Sequence, residues 1–223
     1  MSEARARSQP GTGAPAVHTA RRWWLVAVVA GLLLGPLDLW GQVASPYPWA
    51  HLFNSPAVWA AAAFGYGRWA RDRVAAPVGA VIMLVVAVEA YYLADVLARG
   101  ASSANLTSTT ALVWLFAGVI AGLVFGTGGA WAAESTGWRA VFGRATLPAV
   151  FGAEAVHNVM RLATESSDGR PDDLGQFAVL LAVLGLAALI ALIRGADRRT
   201  AAQVTSLALG AAAAVGVAAG TII

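Results

Sequence analysis

Cysteine and lysine are both absent from this chain of 223 residues, and histidine occurs only three times. Without cysteine there is no disulfide framework, no thiolate nucleophile and no cysteine-ligated metal or iron–sulfur cluster. Without lysine there is no Schiff base, which excludes a retinal-type photoreceptor. Three histidines leave metal chemistry little to work with, so no metal and no cofactor is expected. Charge is scarce too, at 12% of residues, while 58% are hydrophobic; a soluble domain carries about one quarter charged residues. The composition is that of a membrane protein. Its net charge of +3 comes from fifteen arginines against twelve acids, and the arginines matter by position rather than by sum. They form no nucleic-acid footprint, and no nucleic-acid partner is expected.

Residues 1–22 mix arginine with proline, glycine and small side chains, which predicts a disordered basic tail on the cytoplasmic side. Residues 23–223 then read as a single all-α domain, an integral membrane bundle of seven helices. Apolar segments run over Trp23–Gly41, Phe53–Trp69, Val74–Leu97, Leu106–Ala132, Val141–Met160, Leu174–Ile193 and Ala201–Ile223, each long enough to cross a bilayer. The first is read as a retained helix rather than a signal peptide, because it is long and more spans follow. Arginine tests the count. Arg5, Arg7, Arg21, Arg22, Arg68, Arg71, Arg73, Arg139, Arg144, Arg194, Arg198 and Arg199 fall on one face of the alternating loops, and only Arg99, Arg161 and Arg170 on the other. That bias predicts a cytoplasmic N-terminus, an outside C-terminus and residence in a cytoplasmic membrane.

Small residues recur every four positions at Gly118, Gly122 and Gly126 and again at Gly216 and Gly220. Such stripes let helices approach closely, within one chain or in a homo-oligomer. Trp23, Trp24, Trp69, Trp131 and Trp138 sit near the predicted cytoplasmic ends, where indoles anchor at headgroups.

Ionisable groups inside spans mark function by default. Asp38 lies near the outer end of the first span, Glu89 and Asp95 in the outer half of the third, and Glu154 with His157 in the outer half of the fifth. Threading the topology puts them all on one side of the midplane. Glu154, His157, Asn158 and Arg161 share a helix face, and Glu89, Tyr92 and Asp95 step by three with Tyr91 beside them. Asn54 and Ser55 open the second span ahead of Pro56, where Ser55 is placed to cap the helix. Phe53, Trp59, Trp114 and Phe116 gather at the same depth; Trp40 and Trp49 read as interface anchors. An aromatic-walled chamber with a few polar groups describes a small-molecule site, and indole faces attract cations. A structural reading stays open: Glu154 neutralised by His157 or Arg161, Asp38 and Asp95 reaching interfacial water. Glu165, Asp168, Asp172 and Asp173 read as a solvated acidic loop.

The run Leu52-Phe53-Asn54-Ser55-Pro56-Ala57-Val58-Trp59, the segment Glu89-Ala90-Tyr91-Tyr92 and the piece Phe151-Gly152-Ala153-Glu154-Ala155-Val156-His157 resemble the motifs of a family of small multi-pass actinobacterial membrane proteins of unknown function. More distantly, size and acid placement are similar to the membrane-bound terpene cyclases of indole sesquiterpenoid pathways of the drimentine and xiamycin type. That resemblance implies a metal-independent, protonation-initiated cyclisation of a hydrophobic farnesylated, indole-containing substrate taken from the lipid bilayer. In such a scheme Glu89, or else Glu154, donates the proton. Trp59, Tyr92, Trp114 and Phe116 stabilise the cation, and Asp38, Asp95 or His157 removes the last proton. A proton-coupled transporter and a non-catalytic membrane partner are the alternatives.

Overall fold

The structure, a computed structural model, describes residues 16–164 and 171–221. Among these residues there are eight α-helices and no strand: α1 (Ala16–Ala44), α2 (Trp49–Leu52), α3 (Pro56–Ala70), α4 (Ala75–Arg99), α5 (Thr109–Ala132), α6 (Trp138–Thr164), α7 (Pro171–Ile193) and α8 (Arg198–Thr221), with a 3₁₀ turn at Ser103–Thr107. Short connections make successive long helices antiparallel. α4 packs between α1 and α5, α3 lies against α4, α5 and α6, and α6 carries α7 and α8 on its far side.

Five helices are long and apolar enough to span a membrane: Arg22–Ala44 of α1, α4, α5, Asp173–Ile193 of α7 and Arg198–Ala219 of α8. α6 is long, but it carries Arg139, Arg144, Glu154, His157 and Arg161. α3 has 15 residues, about 22 Å at 1.5 Å per residue, which is short of the ~30 Å hydrocarbon layer. Its beginning is set by local chemistry. Ser55 is extended and its Oγ accepts from the Val58 N–H, while Pro56 takes the first helical position, where no N–H is needed. The expected cap is therefore formed. Because α3 starts late, space is left above its first turn between α1, α4 and α5.

Several boundaries shift by a few residues from the sequence reading, and two of the shifts involve the expected tail and the expected acidic loop. α1 begins at Ala16 rather than near Trp23; residues 1–15 of the expected tail lie outside the described residues, as do Glu165 and Asp168. Asp172 and Asp173, read as loop residues, belong to the first turn of α7, where proline and acids suit the orphan N–H groups of a helix start.

The glycine stripes are used inside the chain. Gly118 faces Leu84, Gly122 faces Val81 and Gly126 faces Ala76, Pro77 and Ala80, so α5 lies close on α4. Gly216 meets Ala153 and Val156 of α6; the surroundings of Gly220 lie outside the described residues. The closest approach is Gly67 on Gly126, where any Cβ would enter the facing backbone.

Among the described residues the arginine-rich turns gather at one end. Tyr66 Oη donates to the Trp23 carbonyl at 2.8 Å, and Arg68 Nη1 donates to the Ala132 carbonyl at 2.9 Å, tying the third turn of α1, the end of α3 and the end of α5 together. Arg144 donates to the Glu134 and Ser135 carbonyls at 3.0 and 3.3 Å. Cations thus satisfy the last carbonyl of α5 and those of the turn just after it, where the helix dipole favours them.

Candidate functional site

At the opposite end, the space left by the short α3 is a cavity of about 270 Å³. α1 contributes Asp38, the start of α3 gives Asn54, Ser55, Pro56 and Trp59, α4 gives Val88, Tyr91, Tyr92 and Asp95, and α5 gives Thr110 and Trp114. Seven of the residues singled out from sequence therefore meet here: Asp38, Asn54, Trp59, Tyr91, Tyr92, Asp95 and Trp114. Among the described residues no basic side chain lines the cavity.

Asp38 is its most enclosed charge, 4% exposed. Oδ1 accepts from Trp59 Nε1 at 3.1 Å and Oδ2 from Gln42 Nε2 at 3.0 Å. The Gln42 amide also reaches the Phe53 carbonyl at 3.5 Å, and Tyr91 Oη donates to Gln42 Oε1 at 3.5 Å. Both carboxyl oxygens are held by neutral donors, leaving the group oriented but without a counter-cation. Tyr91 and Tyr92 meet edge to face at 5.5 Å. Asp95, nearer the helix end, pairs with Arg99 at 3.4 Å across one turn, and Arg99 itself is exposed.

Glu154 has another role. Its Oε2 accepts from Ser55 Oγ and from the Ala57 N–H, each at 2.8 Å. The carboxyl of α6 therefore caps the N-terminus of α3, satisfying an orphan donor in the field of that helix's positive end. It stands behind Ser55 and outside the cavity lining. Neither His157 nor Arg161 is the partner this geometry gives it. Asn158, 5% exposed, donates back to the Glu154 carbonyl at 2.8 Å. His157 is outside the cavity as well, with a buried Nδ1 that has no hydrogen-bond partner among the described residues.

Glu89 faces outward. It is exposed, on the surface of α4 between the flanks that pack on α1 and α5, along with Val78 and Leu93. Phe116 is 69% exposed on α5, and the Phe53 ring packs on Gly41 rather than into the cavity. Sequence reasoning missed Gln42 and Thr110. Gln42 was discoverable, since it follows Asp38 by four residues and so shares its helix face; Thr110 carried no signal of its own.

Beside the cavity, α2 is held by His51, whose ring lies 4.9 Å from Tyr47 and 5.4 Å from Phe177 of α7. Burial pushes the Tyr47 phenol above its ordinary range, and the charge of Asp173 adds to the shift. Among the described residues no three ligating side chains gather into a metal site.

The sequence model of a family of unknown function (DUF6518) matches residues 14–222, and the chain belongs to that family. No curated protein and no solved structure matches it.

Proposed function

We propose that the cavity binds a small organic cation, such as a substituted ammonium, and that the protein is a proton-coupled carrier for it. One observation carries this reading: the carboxyl of Asp38, held only by neutral donors, and four aromatic rings, Trp59, Tyr91, Tyr92 and Trp114, line one cavity, with Asp95 at its rim paired to the exposed Arg99. Ring faces attract a cation by their quadrupole, and Asp38 is an oriented acid without a counter-cation. A cation arriving there displaces a proton from Asp38, and a returning proton displaces the cation, which is the exchange a coupled carrier needs. The volume is near the lower end of the ~300–1,000 Å³ usual for ligand sites.

In this reading seven helices cross the membrane with the arginine-rich end in the cytoplasm. Arginine bias supports the orientation. The short α3 would complete its crossing with the segment before it: residues 45–55, including α2, would dip into the bilayer from the far side to meet Pro56, since irregular backbone is tolerated at membrane depth where it lines a cavity.

A second reading has its own support. A buried acid facing aromatic rings also suits a carbocation, so a protonation-initiated cyclisation of a prenylated substrate would use Asp38 rather than Glu89 or Glu154 as donor, returning one proton for each one given.

Proteoliposomes separate the two. A carrier releases an internal quaternary ammonium when an inward-directed proton gradient is imposed, and Asp38→Asn abolishes that release. A cyclase instead converts a farnesylated indole to an isomer of unchanged mass. Release that Asp38→Asn leaves intact contradicts both assignments of Asp38.

A further inference from the structure

A second cavity lies in the other half of the bundle. It is a groove of about 290 Å³ between α5 and α8, floored by α6, and its lining is apolar apart from Thr146: Val124 and Phe125 on one wall, Leu207, Ala211 and Val215 on the other. The Thr146 hydroxyl is spent on the Gly143 carbonyl at 2.7 Å. On α6 the floor runs from Phe142 to Ala153, about 16 Å of helix, close to half of the ~30 Å hydrocarbon layer.

One turn beyond Phe142, toward the arginine-rich end, stands Arg139. Its position continues the stripe of Phe142, Thr146, Ala149 and Ala153 in steps of three and four. Arg68 and Arg144 nearby donate to backbone carbonyls. Arg139 does not share that use: its Nε is buried with no hydrogen-bond partner among the described residues. The guanidinium instead lies 5.9 Å from the Trp131 ring and 5.3 Å from the Trp138 ring. Trp138 in turn meets Phe142 edge to face at 5.9 Å. A positioned cation, an interfacial indole pair and an apolar groove one leaflet deep are thus continuous.

We infer that this face binds an anionic phospholipid, with its phosphate on Arg139 and one acyl chain in the groove between α5 and α8. The charge matches, since Arg139 has no carboxylate partner among the described residues and guanidinium binds phosphate through paired N–H groups. The length matches, because a chain hanging from a headgroup at Arg139 runs down the leaflet the groove spans. Arg139 supplies headgroup selectivity, and the groove supplies affinity for the chain.

Native mass spectrometry of the full chain, released from detergent with phosphatidylglycerol or phosphatidylcholine, tests this. The wild type should retain phosphatidylglycerol about tenfold more, as loss of a charge-assisted contact changes occupancy by that order. Arg139→Gln should remove the preference, and Arg139→Lys should restore part of it. Val215→Trp, an exposed change that fills the groove, should lower retention of both lipids while leaving the melting temperature unchanged. Equal retention of the two lipids by the wild type, a preference that survives Arg139→Gln, or unaltered retention by Val215→Trp would overturn the inference. Displacement of the lipid by glycerol phosphate alone would also overturn it, because that marks a simple anion site without a chain.

Discussion

The two ends of the bundle handle charge in opposite ways. At the arginine-rich end, Arg68 is bound to the last carbonyl of α5 and Arg144 to carbonyls of the turn that follows it, so positive charge closes a helix end and holds the turn together. At the other end the enclosed acids have neutral partners. Asp38 is held by an indole and an amide, and Glu154 by a hydroxyl and a backbone N–H. Yet these two acids differ in what they face. Glu154 is turned toward the start of α3, whereas Asp38 opens on a cavity ringed by aromatics. Depth alone does not identify a working carboxylate; what its free side meets does.

The largest effect should come from breaking the structural acid. Glu154→Ala leaves the Ser55 hydroxyl and the Ala57 N–H without their acceptor, at a cost of about 2–4 kcal/mol. Thermal unfolding in detergent should show a clear fall in melting temperature, and an unchanged value would remove Glu154 from its capping role. A smaller effect is expected at Trp59→Phe, which keeps an aromatic wall but deletes the N–H that orients Asp38. The loss is about 1 kcal/mol, read as a several-fold weaker ammonium affinity with little change in stability. Glu89→Gln sharpens the contrast from the other side. Since Glu89 points away from the cavity, cation binding should be unaltered and stability should stay within about 0.5 kcal/mol; loss of binding would place Glu89 in the site.

The smallest effect lies in the arginine-rich turns. Asp72 Oδ1 accepts from the Val74 and Ala75 N–H groups at 2.9 and 2.8 Å, which holds its carboxyl below the usual carboxylate range. A depressed acid stabilises the fold fully above its unfolded value and loses that contribution as pH falls through its folded value. Hydrogen exchange at Val74 and Ala75 should therefore quicken only in acid, below the usual carboxylate range, and quickening near neutrality would contradict the cap.

Much of this was legible beforehand. Long apolar runs announced the helices, the Ser55-Pro56 pair announced the start of α3, and the outer placement of Asp38, Tyr91, Tyr92 and Asp95 brought one end of the bundle into focus. The role of Glu154 was not legible, because its partners are 97 and 99 residues away in sequence and no local spacing encodes them. Nor was the orientation of Glu89: hydropathy measures depth along a span, while the face a residue presents depends on which neighbours flank α4. The cavity itself follows from the shortness of α3 beside α4, a mismatch of lengths that becomes meaningful only once the two are known to pack together.

The most direct test of the account compares choline with its uncharged carbon isostere, 3,3-dimethylbutan-1-ol, by calorimetry on the purified full chain and on Asp38→Asn. The account expects choline to bind at least about tenfold more tightly than the isostere, as a desolvated cation over aromatic rings requires, and expects Asp38→Asn to erase most of that difference. Equal affinity for the two ligands, or a preference that Asp38→Asn leaves intact, would contradict a cation site built on Asp38.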